Sequence, residues 1–320
     1  MTTRRPVSWF LTEQGRKICF AVVTGTGLTL TAVRFCPHTF LIDKYREIVH
    51  HYSNGKPVEL PKEIQERHQK CLDTLKISDV HRKLIKPFSV FGFDLFHAGS
   101  TSTKFGSLVG IPSSFTYKTL DDVEKDGIQV NLKPVDLTTD VGKKLGEALI
   151  MPERVQEFAI CREILMTHNN KVIFESTYPF VCIFFVYNLT AYINRKFNLY
   201  SAHRLLRLVL YSLTGSFGLG TYFLLKDATE VYYETCVDKE LCELGQDFVE
   251  SGVLFYEKIL ARNQALRELM GSEGQSKYSK LGNENFGLRQ PRIALVHRKL
   301  FFESQLKETN GDIKQEDLSV

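Results

Sequence analysis

Three runs of this chain are too long and too apolar for the surface of a protein in water, and they limit what everything else can fold into. Residues 18–35, "ICFAVVTGTGLTLTAVRF", carry no charge before Arg34. Residues 176–193, "STYPFVCIFFVYNLTAYI", carry none, and residues 205–225, "LLRLVLYSLTGSFGLGTYFLL", carry only Arg207 near their start. A helix of about 20 such residues crosses a hydrocarbon core of about 30 Å, so each run predicts a transmembrane helix. Arg34, at the end of its run, is expected to snorkel toward the interface. A mean hydropathy of −0.15 reads as soluble only because very polar flanks dilute the three runs.

Charge orders the spans. The amino-terminal segment 1–17, "MTTRRPVSWFLTEQGRK", has Arg4, Arg5, Arg16 and Lys17 against the single acid Glu13. An acid-poor, basic segment ahead of an apolar run is a secretory signal, a signal anchor or a mitochondrial targeting region. Arg34-Phe35-Cys36-Pro37 makes a poor cleavage site, so a retained anchor is expected. The loop 194–204, "NRKFNLYSAHR", is basic and has no acid, so the second and third spans form a hairpin. The positive-inside rule puts that loop and the amino terminus on one face, and residues 36–175 and 226–320 on the other.

Two spans carry small residues four apart, Ala21, Gly25 and Thr29 in the first and Ser212, Ser216 and Gly220 in the third. Such faces let helices approach closely; they serve either packing among these helices or packing on a partner's helix. Asn188, polar at membrane depth, is expected to hydrogen-bond across helices.

The remainder predicts a membrane protein that is mainly α, with a small α+β extramembrane unit over 36–175 and a long carboxy-terminal helix. Helices are expected over about 38–51, ended by the turn "SNGKP", and from Pro61, with Ile64, Cys71, Leu72 and Leu75 on one face. Strands are expected over 88–96, over 105–111, and in "GIQVNLK", where Ile128, Val130 and Leu132 alternate. Two more helices follow, over 140–149 and 152–167. Residues 226–271 predict one long amphipathic helix stopped by Gly271, with Phe248, Phe255, Tyr256 and Ile259 as candidates for a partner surface. Residues 272–320 read as a polar tail, partly disordered, with one apolar patch at "IALVHRKLFF".

Chemistry is sparse. "LVGIPSSF", residues 108–115, sets Ser113 and Ser114 among Gly and Pro, but a hydrolase elbow needs G-x-S-x-G, and here Phe115 stands where the second glycine belongs. Gly110, Ile111, Pro112 and Phe115 read instead as a structural turn, with Phe115 packing on the aromatic run from Phe88 to Phe96. His50 and His51 are adjacent on a predicted helix, so their rings diverge. Cys236 and Cys242, six apart, do not share a helical face. Seven scattered cysteines form no C-x-x-C pair, and a net charge of +4 is too small to argue for nucleic acid. No catalytic, cofactor-binding or metal-binding residue is assigned.

"KPFSVFGFDLFHAG", "LVGIPSSF", "ERVQEFAICREIL" and "SGVLFYEKILARNQALRELMG" resemble, in order and separation, segments of the transmembrane protein 177 family. The resemblance extends from the first span to about Gly282. It implies a multi-pass protein of the mitochondrial inner membrane, with the basic loop in the matrix and the α+β unit in the intermembrane space. In that family the activity implied is not enzymatic. It is the stabilisation of newly made cytochrome c oxidase subunit 2 and of its membrane assembly chaperone, before copper is delivered. The alternative is a membrane-anchored serine hydrolase using the 108–115 loop; spans without a midplane ionisable residue are poor material for a transporter.

Overall fold

The computed structural model describes residues 9–287 and 289–316. Arg4 and Arg5 of the basic segment, and residues 317–320 of the expected tail, lie outside the described residues. In chain order the elements are α1 (Glu13–Phe35), α2 (Ile42–Val49), β1 (Tyr52–Ser53), β2 (Lys56–Pro57), α3 (Lys62–Thr74), α4 (Asp79–Arg82), β3 (Ile85–Val90), β4 (Phe96–Ser100) and β5 (Gly106–Pro112). They continue with α5 (Leu120–Asp126), β6 (Gln129–Val130), β7 (Lys133–Pro134), α6 (Asp140–Leu149), α7 (Glu153–Thr167), α8 (Lys171–Lys196), α9 (Arg204–Cys242), α10 (Gln246–Leu269), α11 (Ser272–Lys277) and α12 (Leu295–Glu316). Two compact units result. One joins the residues up to Pro37 with Asn170–Thr229; the other joins His38–Asn169 with the chain from Glu230 onward.

The first unit holds the three helices long and apolar enough to cross a membrane. α1 starts earlier than its apolar run because the Thr12 side chain caps it, accepting from the Gly15 amide at 3.0 Å. Its 23 residues reach about 35 Å. α1 lies antiparallel along α8: Gly27 sits against Phe180, where a Cβ would come within 2.8 Å of the ring, and Phe20 meets Phe184 edge-on at 5.8 Å. α9 stands further from both and is joined to α8 by side chains. Thr190 donates to Thr214 at 2.9 Å, the Tyr178 and Thr229 hydroxyls are 2.6 Å apart, and a Cβ at Gly218 would run into Val186.

Of the two uses expected for the small-residue faces, packing among the chain's own helices is not the one these contacts make. Ala21, Gly25, Thr29, Ser212, Ser216 and Gly220 are all exposed, and nothing lies within 4 Å of a Cβ built on Gly25 or Gly220. Gly27 and Gly218 are each two residues away from a stripe member, about 200° round a helix. Spacing of four marks a face but not which neighbour it meets. Asn188 is likewise exposed and donates to Phe184 O of its own helix, so it does not supply the expected interhelical hydrogen bond. Arg34, at the end of its span, is paired within the unit. It donates to Glu175 at 2.9 Å and to the Tyr222 hydroxyl at 2.7 Å.

The second unit is built round the three-stranded sheet β3-β5-β4, with β5 central, parallel to β3 and antiparallel to β4. Gly110, Ile111 and Pro112 therefore lie in a buried strand, and the turn is the following 3-10 segment Ser113–Thr116. Gly110 pairs with Phe88 on one side and Phe96 on the other. A Cβ there would come within 2.9 to 3.0 Å of Phe96, Val90 and Phe88, so only glycine fits between the two aromatic neighbours. Phe115, 3% exposed, joins the main core with Ile111, Val155 and Phe158, whereas Phe88 and Phe96 belong to a separate cluster with Ile42, Val90 and Leu108. The expected contact of Phe115 with Phe88 and Phe96 is replaced because the chain leaves the sheet at Ser113, and the 3-10 turn carries Phe115 into the cluster that holds Ile111.

Other boundaries move for local reasons. The helix expected over 38–51 begins only at Ile42, after a 3-10 turn Cys36–His38. "SNGKP" closes the β1–β2 hairpin, with Asn54 and Gly55 at φ 52° and 74°, the pair of left-handed residues a two-residue hairpin wants. "GIQVNLK" is the hairpin β6–β7 rather than one strand; Asn131 and Leu132 turn it at φ 52° and 63°, which leaves Leu132 93% exposed. The helix expected over 226–271 is two, because α9 ends at Cys242 and Gly245 takes φ 119° before α10.

The largest correction concerns 272–320. Leu295–Glu316 is a helix, α12, packed along α10, and Phe302 is fully buried against Phe158 at 5.3 Å and Tyr256 at 5.8 Å. Gly252 of α10 leaves room for it, since a Cβ there would be 2.7 Å from the Phe302 ring. Phe255 and Tyr256, 2% and 1% exposed, belong to this aromatic core and form no outer surface. Phe248 and Ile259 are partly buried against the same core.

Candidate functional site

Inside that aromatic core the second unit buries ions. α9 places Glu234 and Asp238 one turn apart on the stripe that also carries Val237 and Leu241. α12 brings Arg298 onto them. Its Nε donates to Asp238 Oδ2 at 2.7 Å, Nη2 to Asp238 Oδ1 at 2.5 Å, and Nη1 to Glu234 Oε1 at 3.0 Å. The guanidinium lies 4.9 Å from the centre of the Tyr256 ring, and the Tyr256 hydroxyl donates to Asp238 at 3.3 Å. From α7, Arg162 bonds Glu163 and reaches Glu234 at 3.6 Å, and Glu163 is met on its other oxygen by His97 Nδ1 of β4 at 2.5 Å. Side-chain exposure is 4% or less for Glu163, Glu234, Asp238 and Arg298.

The electrostatics follow from that burial. Burial alone would raise the Glu163 carboxyl, but Arg162 and His97 outweigh it and hold Glu163 down to about 2. Burial works to lower Arg162 and Arg298, and the surrounding groups reverse it, so both are held above the ordinary guanidinium value. Tyr256 is pushed up, first by burial. The cluster is therefore fixed charge: pairs that strengthen one another in a dry core, each costly to leave alone. A cleft of 220 Å³ opens beside it, with Arg162, Glu163, Glu234 and Arg298 in its wall, and the Ile293 amide closes one side by donating to Glu234 at 3.1 Å.

None of these six ionisable residues, His97, Arg162, Glu163, Glu234, Asp238 and Arg298, was singled out from sequence. Two acids one turn apart on an apolar stripe were the available sign. Of the serines, Ser114 is 3% exposed, and Ser113 lines a shallow hollow with Thr116, Tyr117, Asp122, Lys125 and Asp126, a lining that includes no histidine. His50 packs on Tyr52 and Phe88 and His51 lies beside Phe91. Among the described residues no three His, Cys, Asp or Glu side chains are grouped to hold a metal ion.

In the first unit the arrangement is apolar. The wider separation of α9 leaves a cavity of 640 Å³ walled by α1, α8 and α9, with Tyr187, Tyr211, Thr214 and Gly218 among its lining and Arg34 and Tyr222 at one end. Elsewhere, in the second unit, the Thr101 hydroxyl meets His168 Nδ1 at 2.7 Å, away from Ser113 and Ser114.

Comparison with known proteins finds a set of transmembrane proteins. Transmembrane protein 177 of Xenopus laevis is 30% identical over 285 residues, covering 87% of this chain and 90% of the relative. Transmembrane protein 177 of Danio rerio is 28% identical over 248 residues, 77% of this chain and 79% of the relative, and that of Homo sapiens is 25% identical over 262 residues, 82% and 83%. No family model matches the chain, and no solved structure matches it.

Proposed function

The chain belongs to the transmembrane protein 177 family, and from that premise we propose that it is a non-enzymatic assembly factor of the mitochondrial inner membrane. It stabilises newly made cytochrome c oxidase subunit 2 and that subunit's membrane chaperone early in oxidase maturation. The basic loop 194–204 faces the matrix and the second unit the intermembrane space. The observation that carries the reading is the pair of small-residue faces, Ala21-Gly25-Thr29 and Ser212-Ser216-Gly220, that the chain's own helices leave uncovered. In a bilayer, where apolar side chains gain nothing by leaving lipid, close approach at small residues is what holds one helix to another. Binding the immature subunit lowers the concentration open to proteolysis by mass action, with no bond made or broken.

The test is turnover of pulse-labelled subunit 2 in cells lacking the gene. Faster loss is expected, restored by the wild-type chain and by the double change Ser113→Ala, Ser114→Ala, and not restored by Gly25→Leu with Gly220→Leu. Unchanged turnover on deletion overturns the assembly role. Failure of the serine variant, still folded, would favour the hydrolase.

A further inference from the structure

Where α1 begins and α8 ends, the first unit has a second cavity, of 740 Å³. Its walls are mostly apolar, Val22 from α1 and Tyr187 and Ala191 from α8 among them, and it carries two cations, Arg16 and Arg195. Both are exposed, and neither has a carboxylate partner among the described residues. Because α1 and α8 run antiparallel with Gly27 against Phe180 and Phe20 beside Tyr187, Arg195 sits about one turn nearer the helix ends than Arg16, within reach of two long side chains, and Val22 and Tyr187 lie about 9 to 12 Å deeper along their helices. The cavity also holds a buried acceptor. Asn194 is 1% exposed, its Nδ2 donates to Thr190 O at 2.9 Å, and its Oδ1 has no hydrogen-bond partner.

These three features specify a ligand by its parts. Two unpaired guanidiniums want a phosphodiester, an apolar wall wants an acyl chain, and a buried carbonyl oxygen wants a hydroxyl donor. We propose that this cavity is a binding site for an anionic glycerophospholipid whose headgroup carries a hydroxyl, phosphatidylglycerol or its dimeric form diphosphatidylglycerol. The acyl chain lies along Val22 and Tyr187, the phosphate is held by Arg16 and Arg195, and the headgroup hydroxyl donates to Asn194 Oδ1. Basic pockets between membrane helices recognise such headgroups on the cytoplasmic or matrix side of a bilayer. Phosphatidylcholine offers the chain and the phosphate, but its choline has no hydroxyl and adds a cation next to two others.

Native mass spectrometry of the full chain, released from detergent after exchange into phosphatidylglycerol, diphosphatidylglycerol or phosphatidylcholine, tests this on the wild-type protein. The anionic lipids are expected to stay bound at activation energies that strip phosphatidylcholine. Removing each guanidinium, in Arg16→Gln and Arg195→Gln, should lower retention of phosphatidylglycerol about fivefold. Lys17→Gln removes a neighbouring charge that lies outside the cavity and pairs with Glu13 at 2.8 Å, and should leave retention unchanged. Equal retention of all three lipids, an effect of Lys17→Gln equal to that of Arg16→Gln, or displacement of the lipid by inorganic phosphate would each overturn the proposal.

Discussion

Arg298 shows how much one side chain can decide. It is the cation that two buried carboxylates of α9 share, and it arrives on a segment that reads as a polar tail. Removing one partner of a buried pair strands the other charges at a cost of about 3 to 5 kcal/mol. Arg298→Ala should therefore lower the denaturation midpoint of the second unit sharply, measured on the full chain in detergent, whereas Lys307→Ala, exposed on the same helix, should leave it within about 0.5 kcal/mol. His68 sets a pH limit. It is fully buried in α3, neither ring nitrogen has a hydrogen-bond partner, and burial lowers it from 6.5 to about 4. Between those values the unfolded chain binds a proton that the folded chain refuses. The contribution of His68 is thus whole above pH 6.5 and is lost as pH falls toward 4, by about 3 kcal/mol in all. His68→Leu should flatten the pH dependence of stability in that window, and a variant that tracks the wild type would remove His68 as its cause.

At the scale of elements, α12 and the α1–α8 contact carry the tests. Phe302 fills a notch that Gly252 leaves in α10 and touches both Phe158 and Tyr256. Phe302→Ala should cost about 3 to 5 kcal/mol and raise hydrogen exchange in α12 and α10 together. An unchanged exchange pattern would place the helix outside the cooperative core. For the membrane helices, Gly27→Leu collides with Phe180 and should destabilise by about 1 to 3 kcal/mol. Gly25→Leu meets open space and should change thermal stability in detergent by no more than about 0.5 kcal/mol. The contrast also separates folding from partner binding, since it is the Gly25 face that the proposed function needs. Amphipathic periodicity located α3 and α6 closely, because each has apolar residues on one face, whereas α7 is buried nearly all round and was bounded by Pro152 at its start. It missed α12 because the residues that dock there are few, an Arg and a Phe four apart, and an arginine does not register as a core residue until its carboxylates are in view.

For the whole molecule, topology is the property to measure. The basic loop 194–204 and the second unit are expected on opposite sides of the membrane. In oriented vesicles a membrane-impermeant maleimide should label Asn198→Cys and Lys125→Cys from opposite faces, and labelling of both from one face would refute the three-span arrangement. The three spans and their order were legible because the requirement that backbone polar groups be satisfied inside lipid leaves few solutions for an apolar run of that length. The α+β character of the second unit was legible in the same way, from period-2 and helical patterns between turn residues.

What only the tertiary structure decided is which face of each element meets which neighbour. Gly27 and Gly218, rather than the small-residue stripes, take the helix contacts; Phe255 and Tyr256 turn inward; Ser113 and Ser114 follow a buried strand; and Arg298 closes a charge cluster drawn from three helices and a strand. Local pattern fixes an element's type because the backbone period is a property of the segment itself. The partner of a face depends on residues far away in sequence, so a charge or a glycine acquires its role only when the chain has folded. The sequence by itself determined that this chain lives in a membrane with an extramembrane unit. The fold decided that the unit is locked by a buried ionic core, and that the membrane helices keep two small-residue faces and a cationic, apolar cavity open to what surrounds them.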